Sequence, residues 1–313
     1  GPERARRFPV FQHDANREEE LVDMGVVMAG DYRVPVQGGR RALEADLLVG
    51  LGDIVPHSDA GYSGGAKIVQ PGICGYATPS ATHVAAALLP DIPLGVMENP
   101  CRDGMEEVAR KVGLAFILNT VKNEQGQVIG IFAGDFVKAH RQGAALAREA
   151  YRVDVPELAD IVVVSSSPCD IDYWQAEKGV TSAYFAVRPG GIIVFAAPCP
   201  EGLAHNHPRF REWLALPLDQ VLARARAASP EDRDADRVSG DLAACNSRVR
   251  ERAGVFVVTD GLCDNDIRIL GYERFASVQE ALDEAFKRIP GGRVGVLPRG
   301  GVALPVLVPG VAM

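Results

Sequence analysis

Residues 57–83, HSDAGYSGGAKIVQPGICGYATPSATH, are the stretch from which the fold and the candidate site of this chain can be worked out. These 27 residues contain two histidines, one lysine and five glycines. An apolar run at residues 47–55 precedes them, and Thr78-Pro79-Ser80 near their end indicates the start of a helix. A strand, a glycine-rich loop and a helix in this order are typical of α/β proteins, in which such a loop approaches a ligand at the carboxyl end of a sheet.

The glycines around Lys67 indicate a site for a bulky ligand. Gly61, Gly64 and Gly65 carry no side chain and can adopt positive φ, so the backbone can come close to a planar or phosphorylated group. The phosphate-binding P-loop requires glycine before its lysine and serine or threonine after it. Ala66 and Ile68 stand at those positions, which excludes a P-loop.

The two histidines of this stretch are compatible with a metal site. A lone histidine is more often structural, but His57 and His83 flank the same lysine. A zinc site needs three or four protein ligands, which Asp59 and Cys74 could complete. A divalent-metal hydrolase that uses His57, His83 and Asp59 is therefore one possible function.

A proline that follows a charged break near residues 153–157 divides the chain into an N-terminal domain, 1–153, and a C-terminal domain, 157–313. Apolar runs at 161–165, 192–196, 255–258 and 294–297 alternate with helical patterns, which predicts a mostly parallel α/β sheet in the second domain. Gln175 and Lys178 lie three residues apart, on one face at the start of the helix after its first strand. They would place an amide and an ammonium at the carboxyl end of the sheet, where such folds bind ligands.

Five smaller expectations concern local structure. We expect a short helix over residues 17–26, a helix capped by Asp103 with Glu106 in the capping box, and a hairpin turn at residues 123–126. The polar neighbours of His140 predict a solvated side chain, and Trp174 is expected to fill the interface between the domains.

Composition limits the partners. The net charge of −8, from 33 basic and 41 acidic residues, argues against nucleic acid or a polybasic membrane contact. The six cysteines are scattered and include no CxxC pair, which favours reduced thiols and a cytoplasmic location. The sequence contains no apolar run of about 18 residues, and its start shows no apolar region of a signal peptide.

The spacing of His57, Lys67 and His83, with GYSGGAK and PGI between them, resembles the signature of the lactate racemase family, whose members use a nickel-pincer nucleotide. The resemblance continues through MENPCRDGMEEVARKVGLAFILNTV, AGDFVKAHRQG, YWQAEKG, PEGLAH and VLPRGG, and so covers most of the 313 residues.

This resemblance implies a racemase or epimerase of a 2-hydroxy acid that works by reversible hydride transfer. It implies nickel and pyridinium-3-thioamide-5-thiocarboxylic acid mononucleotide as cofactors, with the nucleotide attached to Lys67, and the enzymes that make it as partners. By the same resemblance His83 completes the coordination of the metal, and His57 is one of two catalytic acid/bases. The expected cofactor-binding residues lie around an interdomain cleft: Lys67, Gly64, Gly65, Gln175 and Lys178.

In the resembled family an upstream segment carries a phosphate-binding motif and the second catalytic histidine, and nothing in this sequence matches either. We therefore expect the N-terminal domain to be incomplete, which weakens the expectation of turnover by the chain as it stands. A non-catalytic homologue that binds a nucleotide-like ligand is a further alternative. The sequence leaves lactate, malate, a longer acid and a sugar acid open as substrates.

Overall fold

The computed structural model describes residues 7–308, which form two α/β halves. The strands of the first half are β1 (Leu21–Ala29), β2 (Tyr32–Gly39), β3 (Leu48–Asp53), β4 (Pro56–His57), β5 (Gly61–Tyr62), β6 (Leu114–Lys122) and β7 (Val128–Gly134). Its helices are α1 (Arg40–Leu43), α2 (Ala77–Ala87), α3 (Pro100–Val112) and α4 (Lys138–Tyr151), and 3-10 turns lie at Glu18–Glu20 and Gly65–Ile68.

The central sheet of the first half has the strand order β3-β6-β7 and two very different faces. Strand β3 is parallel to β6, and β6 and β7 form the antiparallel hairpin that the sequence predicts around residues 123–126. One face, with Ile117 and Val121, is fully buried. The opposite face exposes large apolar side chains, with Leu51 69% and Ile131 64% exposed, together with Val49, Phe116 and Leu118.

Two local predictions for the first half are wrong. Residues 21–26 belong to strand β1 and not to a helix, because β1 pairs with β2 and buries Leu21, Val27 and Ala29. Helix α3 is capped by Asn99, whose Oδ1 accepts from the Arg102 backbone N–H, and not by Asp103. The proline after Asn99 occupies the first helical position, where a missing N–H costs nothing.

The second half is built on a parallel sheet. Its strands are β8 (Arg152–Val155), β9 (Ala159–Ser165), β10 (Val187–Ala196), β11 (Ala253–Val258), β12 (Glu273–Arg274), β13 (Val294–Leu297) and β14 (Leu304–Leu307). Its helices are α5 (Tyr173–Tyr184), α6 (Phe210–Leu214), α7 (Leu218–Ala227), α8 (Val238–Arg252), α9 (Asp264–Leu270) and α10 (Val278–Arg288), with a 3-10 turn at Arg233–Ala235. Five strands form one sheet in the order β12-β11-β10-β9-β13, and every neighbouring pair is parallel. This confirms the predicted α/β class and the parallel sheet.

Helices cover both faces of this sheet, because its strands are apolar on both sides. Helices α5 and α8 pack on one face against residues such as Val164 and Phe195, and α10 packs on the other against Val194 and Phe256. Strands β8 and β14 pair with each other beside the predicted boundary at residues 153–157.

The two halves meet where α2 packs against α8. Arg248 of α8 strengthens this contact, since its Nη2 donates to the carbonyls of Ala87 and Leu89 at 2.9 and 2.7 Å. The loops that follow β9 and β10 lie at the carboxyl end of the parallel sheet and face a cleft between the halves. No helix within residues 7–308 is both long and apolar enough to cross a membrane.

Candidate active site

The glycine-rich loop has a backbone that requires glycine. Gly64 and Gly65 have φ values of 72° and 58°, which side-chain-bearing residues rarely adopt. A Cβ at Gly64 would lie 2.8 Å from Asn119 Oδ1, and one at Gly65 would lie 2.8 Å from the ring of His140. Packing beneath the loop therefore accounts for both glycines, and their contact with a cofactor stays a prediction.

Arg102 of α3 holds the loop from below. Its side chain is fully buried and donates to the backbone carbonyls of Ala60, Tyr62 and Gly64. Burial lowers the pKa of this guanidinium to about 10, so it stays charged near neutral pH. Three carbonyls that point at one cation fix the path of the chain from His57 to Lys67.

His140 and Asn119 anchor the same loop. The His140 ring is fully buried, and its Nε2 donates to the Ser63 carbonyl at 2.8 Å, so the predicted solvated position is wrong. Burial, with a smaller contribution from Arg102, lowers the pKa of His140 to about 3, and the ring is neutral. Asn119 Oδ1 accepts from the Gly65 N–H at 2.8 Å.

The two-stranded hairpin of β4 and β5 places His57 beside Asp59. The Asp59 backbone N–H donates to His57 Nδ1 at 3.2 Å, and Asp59 Oδ2 lies 3.6 Å from the same nitrogen. Burial lowers the pKa of His57 well below its ordinary value, and Lys67 adds to the effect. Burial alone would raise the pKa of Asp59, but the nearby His57 and His83 lower it overall. The pair is therefore a neutral imidazole next to a carboxylate that can stabilise an imidazolium.

His83 lies on helix α2 with one ring nitrogen already committed. Its Nδ1 donates to the Pro79 carbonyl at 2.7 Å, which leaves Nε2 as the unprotonated nitrogen of the neutral ring. Burial lowers the pKa of His83, which favours this neutral form. An imidazole oriented through Nδ1 in this way is the usual form of a histidine metal ligand.

Lys67 occupies the 3-10 turn Gly65–Ile68. Within residues 7–308 its Nζ makes no hydrogen bond and no ion pair, although the side chain borders the cavity. Burial lowers the pKa of the amine, in spite of Asp59 nearby. A larger fraction of neutral amine makes this lysine a better nucleophile than one in water.

Helix α5 of the second half supplies the predicted amide and ammonium. Asp172 caps the helix, and its Oδ1 accepts from the Gln175 backbone N–H at 2.9 Å. Lys178 Nζ donates to Gln175 Oε1, one turn along the same face. Glu177 of this helix is buried, and burial raises the pKa of its carboxyl to about 7.

These groups border one cavity of about 460 Å³ between the two halves. Five of the predicted site residues line it: His57, Lys67, His83, Gln175 and Lys178. Other lining residues were not singled out from the sequence, and they include Ser58, Tyr76, Glu177, His207, Val238 and Leu242. The structure thus brings together predicted site residues that are up to 121 positions apart, from His57 to Lys178.

A third acidic group approaches from helix α8. One ligand atom each of Asp59, His83 and Asp241 lies within 4.8 Å of the others. Asp241 is buried, and its Oδ2 has no hydrogen-bond partner in the described part of the chain. Burial raises the pKa of Asp241 well above its usual value. If Asp59 and His83 bound a divalent ion without an organic cofactor, the third protein ligand would be Asp241 and not His57.

Fold and site together define the class: a two-domain α/β protein with an enzyme-like site in the cleft between its domains. Residues 1–91 match the model of the lactate racemase N-terminal domain, and residues 155–305 match that of the lactate racemase C-terminal domain.

Two curated relatives and one solved structure also match lactate racemases, and a second solved structure has the same fold. The lactate racemase of Lactiplantibacillus plantarum is 30% identical over 302 residues, which are 93% of this chain and 68% of the relative. That of Thermoanaerobacterium thermosaccharolyticum is 35% identical over 224 residues, which are 68% of this chain and 51% of the relative. The lactate racemase apoprotein structure from the latter organism has a TM-score of 0.82 at 28% identity, and covers 94% of this chain and 70% of that chain. A Thermotoga maritima crystal structure has a TM-score of 0.72 at 22% identity, covers 95% of this chain and 78% of its own, and supports the fold alone.

The chain belongs to the lactate racemase family, as the sequence motifs predict. It spans about half the length of one curated relative and about two thirds of the other.

Proposed function

We propose that this chain is a racemase or epimerase of a 2-hydroxy acid of the lactate class, which acts by reversible hydride transfer with a nickel-pincer nucleotide tethered to Lys67. The observation that carries the proposal is the convergence of His57, Lys67, His83, Gln175 and Lys178 on one cavity between the domains. The names of the curated relatives, both lactate racemases, support the same activity.

The residues present fit such a cofactor. Lys67 offers a half-buried amine without a protein partner in the described residues, which suits formation of an amide-type bond to the nucleotide. His83 offers Nε2 as a metal ligand, since Pro79 holds its Nδ1. One imidazole together with soft sulfur donors would suit nickel.

The chemistry follows from the substrate. Inversion at C2 of a 2-hydroxy acid requires removal of a hydrogen that is barely acidic in water. When bound, the nucleotide would supply a hydride acceptor and donor for this carbon. His57 would take the proton of the substrate hydroxyl at Nε2 in the tautomer that carries its own proton on Nδ1, where Asp59 Oδ2 at 3.6 Å would stabilise the resulting imidazolium. Lys178 and Gln175 would bind the carboxylate of the substrate. Inversion needs a second acid/base for the opposite enantiomer, which these residues do not supply.

We also propose the enzymes that make the nucleotide as partners, and the cytoplasm as the location. All six cysteines are free thiols, which favours a reducing compartment.

Mass spectrometry of the intact chain tests the tether. The chain should be co-expressed with the cofactor-making enzymes, and the sample then divided for peptide mapping and for nickel analysis. An adduct on Lys67 with an equal amount of nickel is expected, and Lys67→Ala should lose both. Lys287→Ala, a substitution of an exposed lysine in the second domain, should retain both. Nickel at the wild-type amount in Lys67→Ala would contradict the proposal, and a ligand bound without racemisation would favour a non-catalytic binding protein.

A divalent-metal hydrolase is a second candidate, which the Asp59, His83 and Asp241 group favours. This function predicts a stoichiometric metal ion, such as zinc, in protein made without the nucleotide. Asp241→Asn should then lose the metal, whereas the pincer proposal predicts little metal in either protein before the nucleotide is added.

A further inference from the structure

His207 is a cavity residue to which no role has been given so far. It lies in the loop 197–209 between β10 and α6, at the carboxyl end of the parallel sheet. Backbone bonds tie this loop to the start of α5: the Tyr173 N–H donates to the Gly202 carbonyl at 2.9 Å, and the Trp174 N–H to the Leu203 carbonyl at 3.0 Å. His207 is therefore fixed relative to the helix that carries Gln175 and Lys178.

The His207 ring itself is held on two sides. Its Nδ1 lies 3.0 Å from Asp236 Oδ1, and the other Asp236 oxygen accepts from Ser239 Oγ at 2.7 Å. Its face stacks on Trp174, with 3.6 Å between ring centroids and 2° between ring planes. Rotation of the ring would break both contacts, so its orientation is set before any ligand arrives. Trp174 thus packs on side chains of the second domain and also borders the cavity between the halves.

These contacts leave Nε2 as the reactive atom of His207. Within residues 7–308 it has no hydrogen-bond partner, while the side chain borders the cavity and is 23% exposed. With Nδ1–H directed at Asp236, Nε2 of the neutral ring accepts a hydrogen bond. In the protonated ring the same atom donates one.

Tyr76 of the first domain borders the cavity at the same end. Burial raises the pKa of Tyr76, and the charge of Asp236 adds to this, which places Tyr76 close to the carboxylate that holds His207. The Tyr76 hydroxyl is itself buried, so of these two side chains it is His207, 23% exposed, that offers a polar atom to a ligand.

We propose that His207 is a specificity-determining residue, whose Nε2 hydrogen-bonds a polar group of the substrate beyond C2. The inference rests on the proposed racemase function and narrows its substrate class to 2-hydroxy acids with a hydroxyl or a carboxylate on C3 or C4. The methyl group of lactate can form no such bond and would leave Nε2 unpaired. Sites built to hydrogen-bond a substrate group discriminate strongly against analogues that lack it.

The test compares three substrates in loaded enzyme: lactate, glycerate, which carries a hydroxyl on C3, and malate, which carries a second carboxylate. Wild type should show a higher kcat/KM for glycerate or malate than for lactate. His207→Leu should lower the ratio of polar-substrate to lactate kcat/KM by about tenfold or more. Loss against malate would mean that Nε2 donates to the carboxylate, whereas loss against glycerate alone would mean that Nε2 accepts from the hydroxyl.

His205→Leu is the matched control, because His205 lies in the same loop, is exposed and does not border the cavity. It should leave the ratio unchanged. An equal effect of His207→Leu on all three substrates would overturn the inference, since it would point to a role in folding or in holding the cofactor.

Direct binding separates this inference from the proposed function. Ligand-detected NMR on cofactor-free protein should show weaker binding of malate or glycerate to His207→Leu than to wild type. If wild type racemises none of the acids but this difference remains, the racemase proposal fails and the binding role of His207 stands. If racemisation occurs and the difference in both assays is absent, the role of His207 fails alone.

Discussion

Gly65→Ala should destabilise the first domain because the change acts twice at one position. The backbone at Gly65 has a φ of 58°, and the left-handed conformation costs a non-glycine residue about 1–2 kcal/mol. An added Cβ would also lie 2.8 Å from the buried His140 ring, and an overpacked contact of this kind costs about 1–3 kcal/mol. The sum predicts a loss of about 2–5 kcal/mol in the free energy of unfolding.

Gly126→Ala separates the two contributions. Gly126 has a φ of 75° in the same domain, but a Cβ there would meet nothing within 4 Å. This variant should lose only about 1–2 kcal/mol. Urea unfolding followed by far-UV circular dichroism measures both variants. Gly65→Ala should also reduce the yield of adduct on Lys67, which lies in the same 3-10 turn. Equal destabilisation by the two alanines would refute the packing of His140 against the loop.

Three other predictions concern the residues around the loop. Burial, aided by Arg102, lowers the pKa of His140 to about 3. An unfolded histidine titrates at about 6.5, so between these values only the unfolded chain binds the proton, and stability should fall by up to about 5 kcal/mol as the pH drops from about 6.5 toward 3. His140→Gln should flatten this slope in urea unfolding at a series of pH values, and an unchanged slope would contradict the buried neutral ring. Arg102→Lys keeps the charge but cannot reach all three carbonyls, so urea unfolding should show a loss of about 1–3 kcal/mol, and wild-type stability would count against the clamp. His83→Ala should retain the Lys67 adduct and lose nickel, as mass spectrometry and metal analysis of one sample can show; nickel retained with the adduct would remove His83 from the metal site.

The parallel sheet of the second domain could be read from the sequence because its strands are short apolar runs between helical patterns. The run at residues 294–297 coincides with strand β13, and that at 192–196 lies within β10. Residues 191–195 of β10 are all buried, so their composition alone identifies the strand, whereas β13 lies at the edge of the sheet and exposes Val296. At residues 17–26 the alternation of apolar and polar residues typical of a strand is interrupted, because strand β1 has a bulge between Asp23 and Val26. The sequence pattern therefore favours a helix there, and only the pairing with β2 makes these residues a strand.

The sequence likewise predicts some residues of the candidate site and misses others. His57, Lys67 and His83 lie within one motif and were accessible to sequence reasoning. His207 borders the cavity, and Asp241 lies close to Asp59 and His83, only because the loop 197–209 and α8 fold back over the motif from more than 100 positions away in the chain. No local pattern marks either residue. His140 looked solvated because its neighbours in sequence are polar, whereas its burial depends on the loop that α4 supports.

The exposed apolar face of the β3-β6-β7 sheet should make this chain prone to self-association and to adsorption. Leu51 and Ile131 lie on this apolar face and are exposed to water. The outer edge of β3 has no neighbouring strand within residues 7–308. Adsorption to plastic, binding of detergent and reversible self-association should therefore depend on this apolar face more than on the net charge of −8. The substitutions Leu51→Lys and Ile131→Lys should keep concentrated samples monodisperse without any change near the cleft.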